Sequence, residues 1–128
     1  MGGTYIPLEK LLVFKLADEL SEIGWDIYER LDWRDKKIMG DQFITATDSC
    51  GANIAEGYGR YHYLDRIKFY YNARASLLEV KYWVSLLFKR KKINYETHKT
   101  FIQKANHCHL QLNTYIKSCY SQKNNPST

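Results

Sequence analysis

The sequence predicts an all-α protein, an up-and-down antiparallel four-helix bundle, and three observations lead there. Apolar residues recur every three or four positions through four long stretches, and each stretch is bounded by its own stop or start signal. The two prolines, Pro7 and Pro126, flank this region and none interrupts it. The Pro and Gly punctuation that a strand-rich chain needs is scarce between them. The 128 residues suit one domain, residues 1–128, with a core over about 8–120 and a short polar tail at 121–128.

The first helix is predicted over residues 8–31, where Val13, Leu16, Ala17, Leu20, Ile23, Gly24, Ile27, Tyr28 and Leu31 form one stripe. Lys15, Asp18, Glu22, Asp26 and Glu29 occupy its solvated face. The second is predicted over 35–58, with Phe43, Ala46 or Thr47, Cys50, Ile54 and Tyr58 inward, and with Gly57 and Gly59 as the stop. The third, over 65–91, is apolar around more than half its circumference, through residues such as Tyr71, Ala75, Leu78, Tyr82 and Phe88. Such a helix needs cover on more than one side, so it is expected to serve as bundle core and as an interface between subunits. The fourth, over 95–120, has Asn94 as N-cap and Glu96 in its first turn. Its inward edge is Phe101, Ile102, Ala105, Cys108, Leu112, Ile116 and Cys119.

Lys and Arg number 19 against 14 acids, which gives a net charge of +5 and a surface that favours polyanions. Charges interrupt every hydrophobic segment, so no membrane-spanning helix is expected. The N-terminus lacks a signal-peptide hydrophobic region. Met1-Gly2-Gly3 resembles a myristoylation start, but Ile6 stands where that signal has Ser or Thr. Cys50, Cys108 and Cys119 are an odd set at irregular spacing, which fits free thiols in a reducing compartment, and the expected location is cytoplasmic.

Ser49, Asn53, Glu56 and Arg60 fall at steps of four, three and four and align along one helix face. The structural reading is a polar network with Ser76 and Glu79 on the third helix that fixes register, and no nucleophile is paired with a base. Gly57-Tyr58-Gly59 follows a helix and lacks the Lys-Ser/Thr pair of a phosphate loop. Glu56 and Glu79 lack the further carboxylates and the Glu-x-x-His of a bundle di-metal site. His107, Cys108 and His109 are consecutive and cannot converge on one ion from a helix. No catalytic residue, metal or cofactor is therefore expected.

The basic residues carry more. Lys89, Arg90, Lys91 and Lys92 end the third helix, where cations also complement the helix dipole. Arg60, Arg66, Lys68, Arg74 and Lys81 are interleaved with Tyr58, Tyr61, Tyr63, Tyr70 and Tyr71. Cations among exposed aromatics hold phosphates and stack bases, whereas tyrosines at an oligomer interface give the same pattern.

Asp48-Ser49, Ala52-Asn53-Ile54-Ala55-Glu56-Gly57, Gly59-Arg60, Phe69 and Ala73-Arg74-Ala75-Ser76-Leu77-Leu78-Glu79 together resemble the four-helix-bundle family associated with intervening sequences in bacterial 23S ribosomal RNA genes. Ala75 departs from the pattern, since members often have Gly there. The resemblance implies a ring-like homopentamer. It also implies kinship with the accessory protein of diversity-generating retroelements, whose basic pentameric barrel binds nucleic acid and a reverse transcriptase. The expected function is a non-enzymatic, homo-oligomeric nucleic-acid-binding or RNA-associated adaptor, with RNA or single-stranded DNA as partner. The alternative is a protein-interaction scaffold, for example for a reverse transcriptase, without direct nucleic-acid binding.

Overall fold

Asp32 begins the second helix by turning its carboxylate back onto the Asp35 backbone N–H, which donates to Oδ1 at 2.8 Å. The computed structural model describes residues 6–123 and contains four long helices and, among the described residues, no strand. Helix α1 is Leu12–Arg30. Helix α2 is continuous through Trp33–Asp35, a π-helical turn Lys36–Gly40, and Asp41–Tyr58. Helix α3 is Tyr63–Lys89 and helix α4 is Tyr95–Lys123.

Each helix packs on its sequence neighbours, and α4 closes the square against α1. The connections are short, so the direction alternates. The α1–α2 and α3–α4 connections therefore share one end of the bundle, and an ion pair between Lys92 Nζ and Asp35 Oδ2 at 3.1 Å joins them.

The core follows the stripes the sequence marks. Leu20, Phe43, Ile54, Tyr70, Leu77, Val84, Phe101 and Leu112 are fully buried. Phe43 and Phe101 meet across the centre with ring centroids 5.3 Å apart, and each contributes about 2–3 kcal/mol by burial. The three cysteines are free and buried. The hydrogen bond with the neighbouring Cys108 thiol, and then burial, push the Cys50 thiol up from its ordinary value.

Several boundaries differ from the sequence reading. Residues 8–10 form a separate 3₁₀ turn, because Leu11 is extended and breaks the helix there. Helix α2 starts two residues before 35 because Asp32 caps it. Helix α3 starts at Tyr63, not 65, and ends at Lys89, not 91. Lys91 stops it by adopting φ 61°, with its N–H bonded to the Phe88 carbonyl and the Lys92 N–H bonded to the Leu87 carbonyl. That is a Schellman termination with lysine where glycine is usual. Helix α4 runs on to Lys123, so 121–123 are not tail, and residues 124–128 lie outside the described region together with Met1-Gly2-Gly3.

Gly57 does not act as a stop. It sits within α2, where a Cβ would lie 2.7 Å from Tyr70 Cε1 and 3.0 Å from Phe69 Cβ, so its role is to let α2 and α3 approach. Gly59 follows the last helical residue in a right-handed conformation at φ −79°.

The π-turn has a cause in the spacing of inward residues. Asp35, Met39 and Phe43 are all buried at two successive steps of four. An α-helix drifts by about 40° at each such step, and the wider turn absorbs the drift. Gly40 belongs to the same adjustment, because a Cβ there would meet Leu31 Cδ1 at 3.0 Å and the Tyr28 ring at 3.2 Å.

Helix α3 divides its apolar residues into two stripes. Ile67, Tyr70, Ala73, Leu77, Val80, Val84 and Leu87 fill the core. Leu64, Tyr71, Leu78 and Tyr82 are exposed in the single chain, with Lys68 and Ala75 between them at three- and four-residue steps.

Candidate nucleic-acid interface

The basic residues singled out in the sequence separate into three places. Arg60 and Lys68 lie toward the α2–α3 end. Arg60 pairs with Glu56 at 2.7 Å and lies over the Phe69 ring at 4.9 Å, while Lys68 is exposed. Arg66 is half-buried beside Tyr70, Tyr115 and Cys119.

Arg74 and Lys81 sit midway along the α3–α4 seam. Arg74 Nη1 donates to Asn113 Oδ1 at 2.9 Å and stacks its guanidinium on Tyr71 at 4.6 Å. Lys81 Nζ lies 3.1 Å from His109 Nδ1. Partial burial lowers the Lys81 pKa. Burial, then the charges of Lys81 and Arg74, lower that of His109. An ammonium group has only donors, so Nδ1 is the acceptor in this contact.

Lys89, Arg90, Lys91 and Lys92 lie at the third place, the end shared by both short connections. The fold brings Arg30, Arg34, Lys36 and Lys37 to that same end, and these were not among the residues read from the sequence as candidates. Segments 30–37 and 89–92 together hold eight of the 19 Lys and Arg residues against two carboxylates, Asp32 and Asp35. Lys92 is committed to Asp35, Lys36 to Glu29 at 3.6 Å and Arg30 to Asp26 at 3.1 Å. Arg34, Lys37, Lys89, Arg90 and Lys91 are exposed and form no ion pair among the described residues. Trp33 is 77% exposed and Tyr95 59% exposed at this end. Cations in water beside open aromatic faces are able to hold phosphates and stack bases.

The polar motif on α2 forms in part as expected. Ser76 Oγ lies 3.0 Å from Ser49 Oγ, and Asn53 Nδ2 donates to the Ser49 carbonyl at 2.8 Å and to its hydroxyl at 3.0 Å. Glu56 and Glu79 do not join that network. Glu56 reaches one turn on to Arg60, and Glu79 accepts from Trp83 Nε1 at 3.1 Å, because each long side chain has a donor four residues ahead. The network therefore ties α2 to α3 through two serines alone.

Among the described residues, no group of three or more His, Cys, Asp or Glu side chains is placed to hold a metal. No helix among them is long and apolar enough to cross a membrane.

The bundle is similar to the crystal structure of a protein of unknown function from the S23 ribosomal protein family of Bacteroides thetaiotaomicron. The TM-score is 0.76 at 24% identity, covering 82% of this chain and 98% of the other. No curated protein sequence matches the chain. Residues 9–114, which take in α1 to α3, the first two-thirds of α4 and the basic end, match the sequence profile of the 23S rRNA-intervening sequence proteins, and the chain belongs to that family.

Proposed function

We propose that this protein is a cytoplasmic, non-enzymatic, homo-oligomeric adaptor that binds nucleic acid through the basic end of its bundle. The observation that carries the reading is the convergence of both short connections on one end, which holds exposed Arg34, Lys37, Lys89, Arg90 and Lys91 together with exposed Trp33 and Tyr95. Each phosphate contact is weak and salt-sensitive, so several copies acting together give useful affinity.

Self-association rests on the outer stripe of α3. Leu64, Tyr71, Leu78 and Tyr82 repeat with the seven-residue logic of a helix-packing seam, and Leu110 on α4 is likewise exposed. Asp18 and Glu22, exposed carboxylates on α1 that form no ion pair among the described residues, complement the acid-poor α3–α4 seam of Arg74 and Lys81. Contact between two different faces builds a ring where the rotation per subunit closes and an open filament where it does not, and the ring proposed is a pentamer.

A fluorescence-anisotropy titration with labelled structured RNA tests the reading. Affinity is expected to fall linearly on a log–log plot against salt, and no salt-dependent binding to RNA or single-stranded DNA would refute it. The exposed Leu78, Tyr82 and Leu110 also favour a second reading, a scaffold for another polypeptide such as a reverse transcriptase. Its signature is capture of a defined protein that survives nuclease treatment, by a chain that does not bind RNA.

A further inference from the structure

The turn between α3 and α4 holds a shallow depression lined by Phe88, Lys89, Lys91, Lys92, Ile93 and Asn94. Its aromatic wall is Phe88, on which His98 stacks with centroids 4.6 Å apart at 13°. Tyr95 is outside the lining itself, but it is exposed and tilts against Phe88 at 6.2 Å, so it extends the aromatic surface next to the depression. The floor of the turn is fixed too, by the Schellman bonds of Lys91 and Lys92 and by the Lys92–Asp35 pair. Two ammonium groups, Lys89 and Lys91, stand at this rim without a carboxylate partner among the described residues.

A duplex offers such a place only its phosphates, because its base faces are covered by stacking and its base edges lie within the grooves. An apolar aromatic wall beside two unpaired cations is complementary to a base whose face is free and whose flanking phosphates are accessible. We infer that this depression seats one unpaired nucleotide of a single strand, with the base against Tyr95 and Phe88 and the adjoining phosphates on Lys89 and Lys91. The inference rests on the nucleic-acid reading above and narrows it to single-stranded substrate.

The test uses the full chain with a labelled twelve-nucleotide single-stranded RNA and a twelve-base-pair RNA duplex, titrated at two salt concentrations. The single strand is expected to bind about tenfold or more tightly than the duplex at the same salt. Tyr95→Ala, at an exposed position, is expected to weaken single-strand binding about five- to thirtyfold, leaving duplex binding and the salt slope unchanged. The double change Lys89→Ala with Lys91→Ala is expected to reduce the single-strand slope by about 1.4. Equal or tighter duplex binding, or a Tyr95→Ala protein that holds the single strand as well as the parent does, overturns the inference and leaves the broader reading standing. Binding to neither probe overturns both.

Discussion

Replacing Gly57 by alanine tests whether the contact between α2 and α3 is set by the missing side chain. A Cβ at that position would lie 2.7 Å from Tyr70 Cε1. Tyr70 is fully buried and its ring meets the edge of Tyr115 at 5.0 Å, so it has no room to retreat. Overpacking of this kind costs about 1–3 kcal/mol, while alanine returns about 1 kcal/mol of helix propensity. Where the upper half of that range applies, as a rigid neighbour requires, the net loss is about 1–2 kcal/mol. With an unfolding entropy of about 2.1 cal/mol/K per residue, each kcal/mol corresponds to about 4 °C, so Tm should fall by about 4–8 °C. Gly51→Ala is the matched control on the same helix. Its Cβ would meet Ala17 Cβ at 3.8 Å and Phe14 Cε1 at 4.0 Å, which is ordinary contact. Propensity then dominates, and Tm should rise by about 2–4 °C. Thermal melts followed by circular dichroism measure both. A Gly57→Ala protein as stable as the parent, or a Gly51→Ala protein less stable, would refute the close-approach argument.

Other expectations follow from the same structure. Lys91→Gly relieves the left-handed strain at φ 61° and should stabilise the fold by about 1 kcal/mol in urea titration, while its lost charge lowers the salt slope of RNA binding. Asp32→Ala removes the cap on α2 and should cost about 1 kcal/mol, read as a lower urea midpoint at constant m-value. His109 has a folded pKa below the ordinary histidine value of about 6.5, so the unfolded chain binds the extra proton first. Stability contributed here is complete above that value and is lost as pH falls below it toward the folded pKa. His109→Gln should therefore flatten the decline in urea midpoint as pH falls below about 6.5. Cys50, Cys108 and Cys119 are buried, so a thiol reagent should leave the native protein unmodified and titrate all three after denaturation. Rapid native labelling would contradict the packing described.

The four helices were legible because nearly every inward position carries an apolar side chain at helical spacing, from Val13 to Leu31 and again from Phe101 to Cys119. The π-turn was not, because the steps from Asp35 to Met39 to Phe43 are compatible with an α-helix when only a few turns are read. Gly57 was misread for a related reason. A Gly-x-Gly pair signals a helix stop, whereas the demand for space at Gly57 comes from Tyr70 on another helix. The start of α3 at Tyr63 escaped notice because His62 precedes it without a side-chain cap. The basic end was half legible. Lys89–Lys92 form a run, but Arg34 and Lys37 join them only through antiparallel packing, and no local pattern announces a neighbour so distant in the chain.

The π-turn also gives the bundle an angular adjustment that is separate from its core. Deleting one residue within Lys36–Gly40 would leave seven residue steps from Asp35 to Phe43, which an ordinary α-helix covers within about 20° of two full turns, so Trp33, Arg34 and the Asp35–Lys92 pair would keep their bearing. Forcing the present eight steps into ordinary α geometry would instead turn Asp35 about 80° away from Lys92. The extra residue and the wide turn thus cancel each other in angle. Relatives that lack both would keep the same scaffold and the same bearing of its charged crown, whereas a substitution that straightens the turn alone would swing the crown aside.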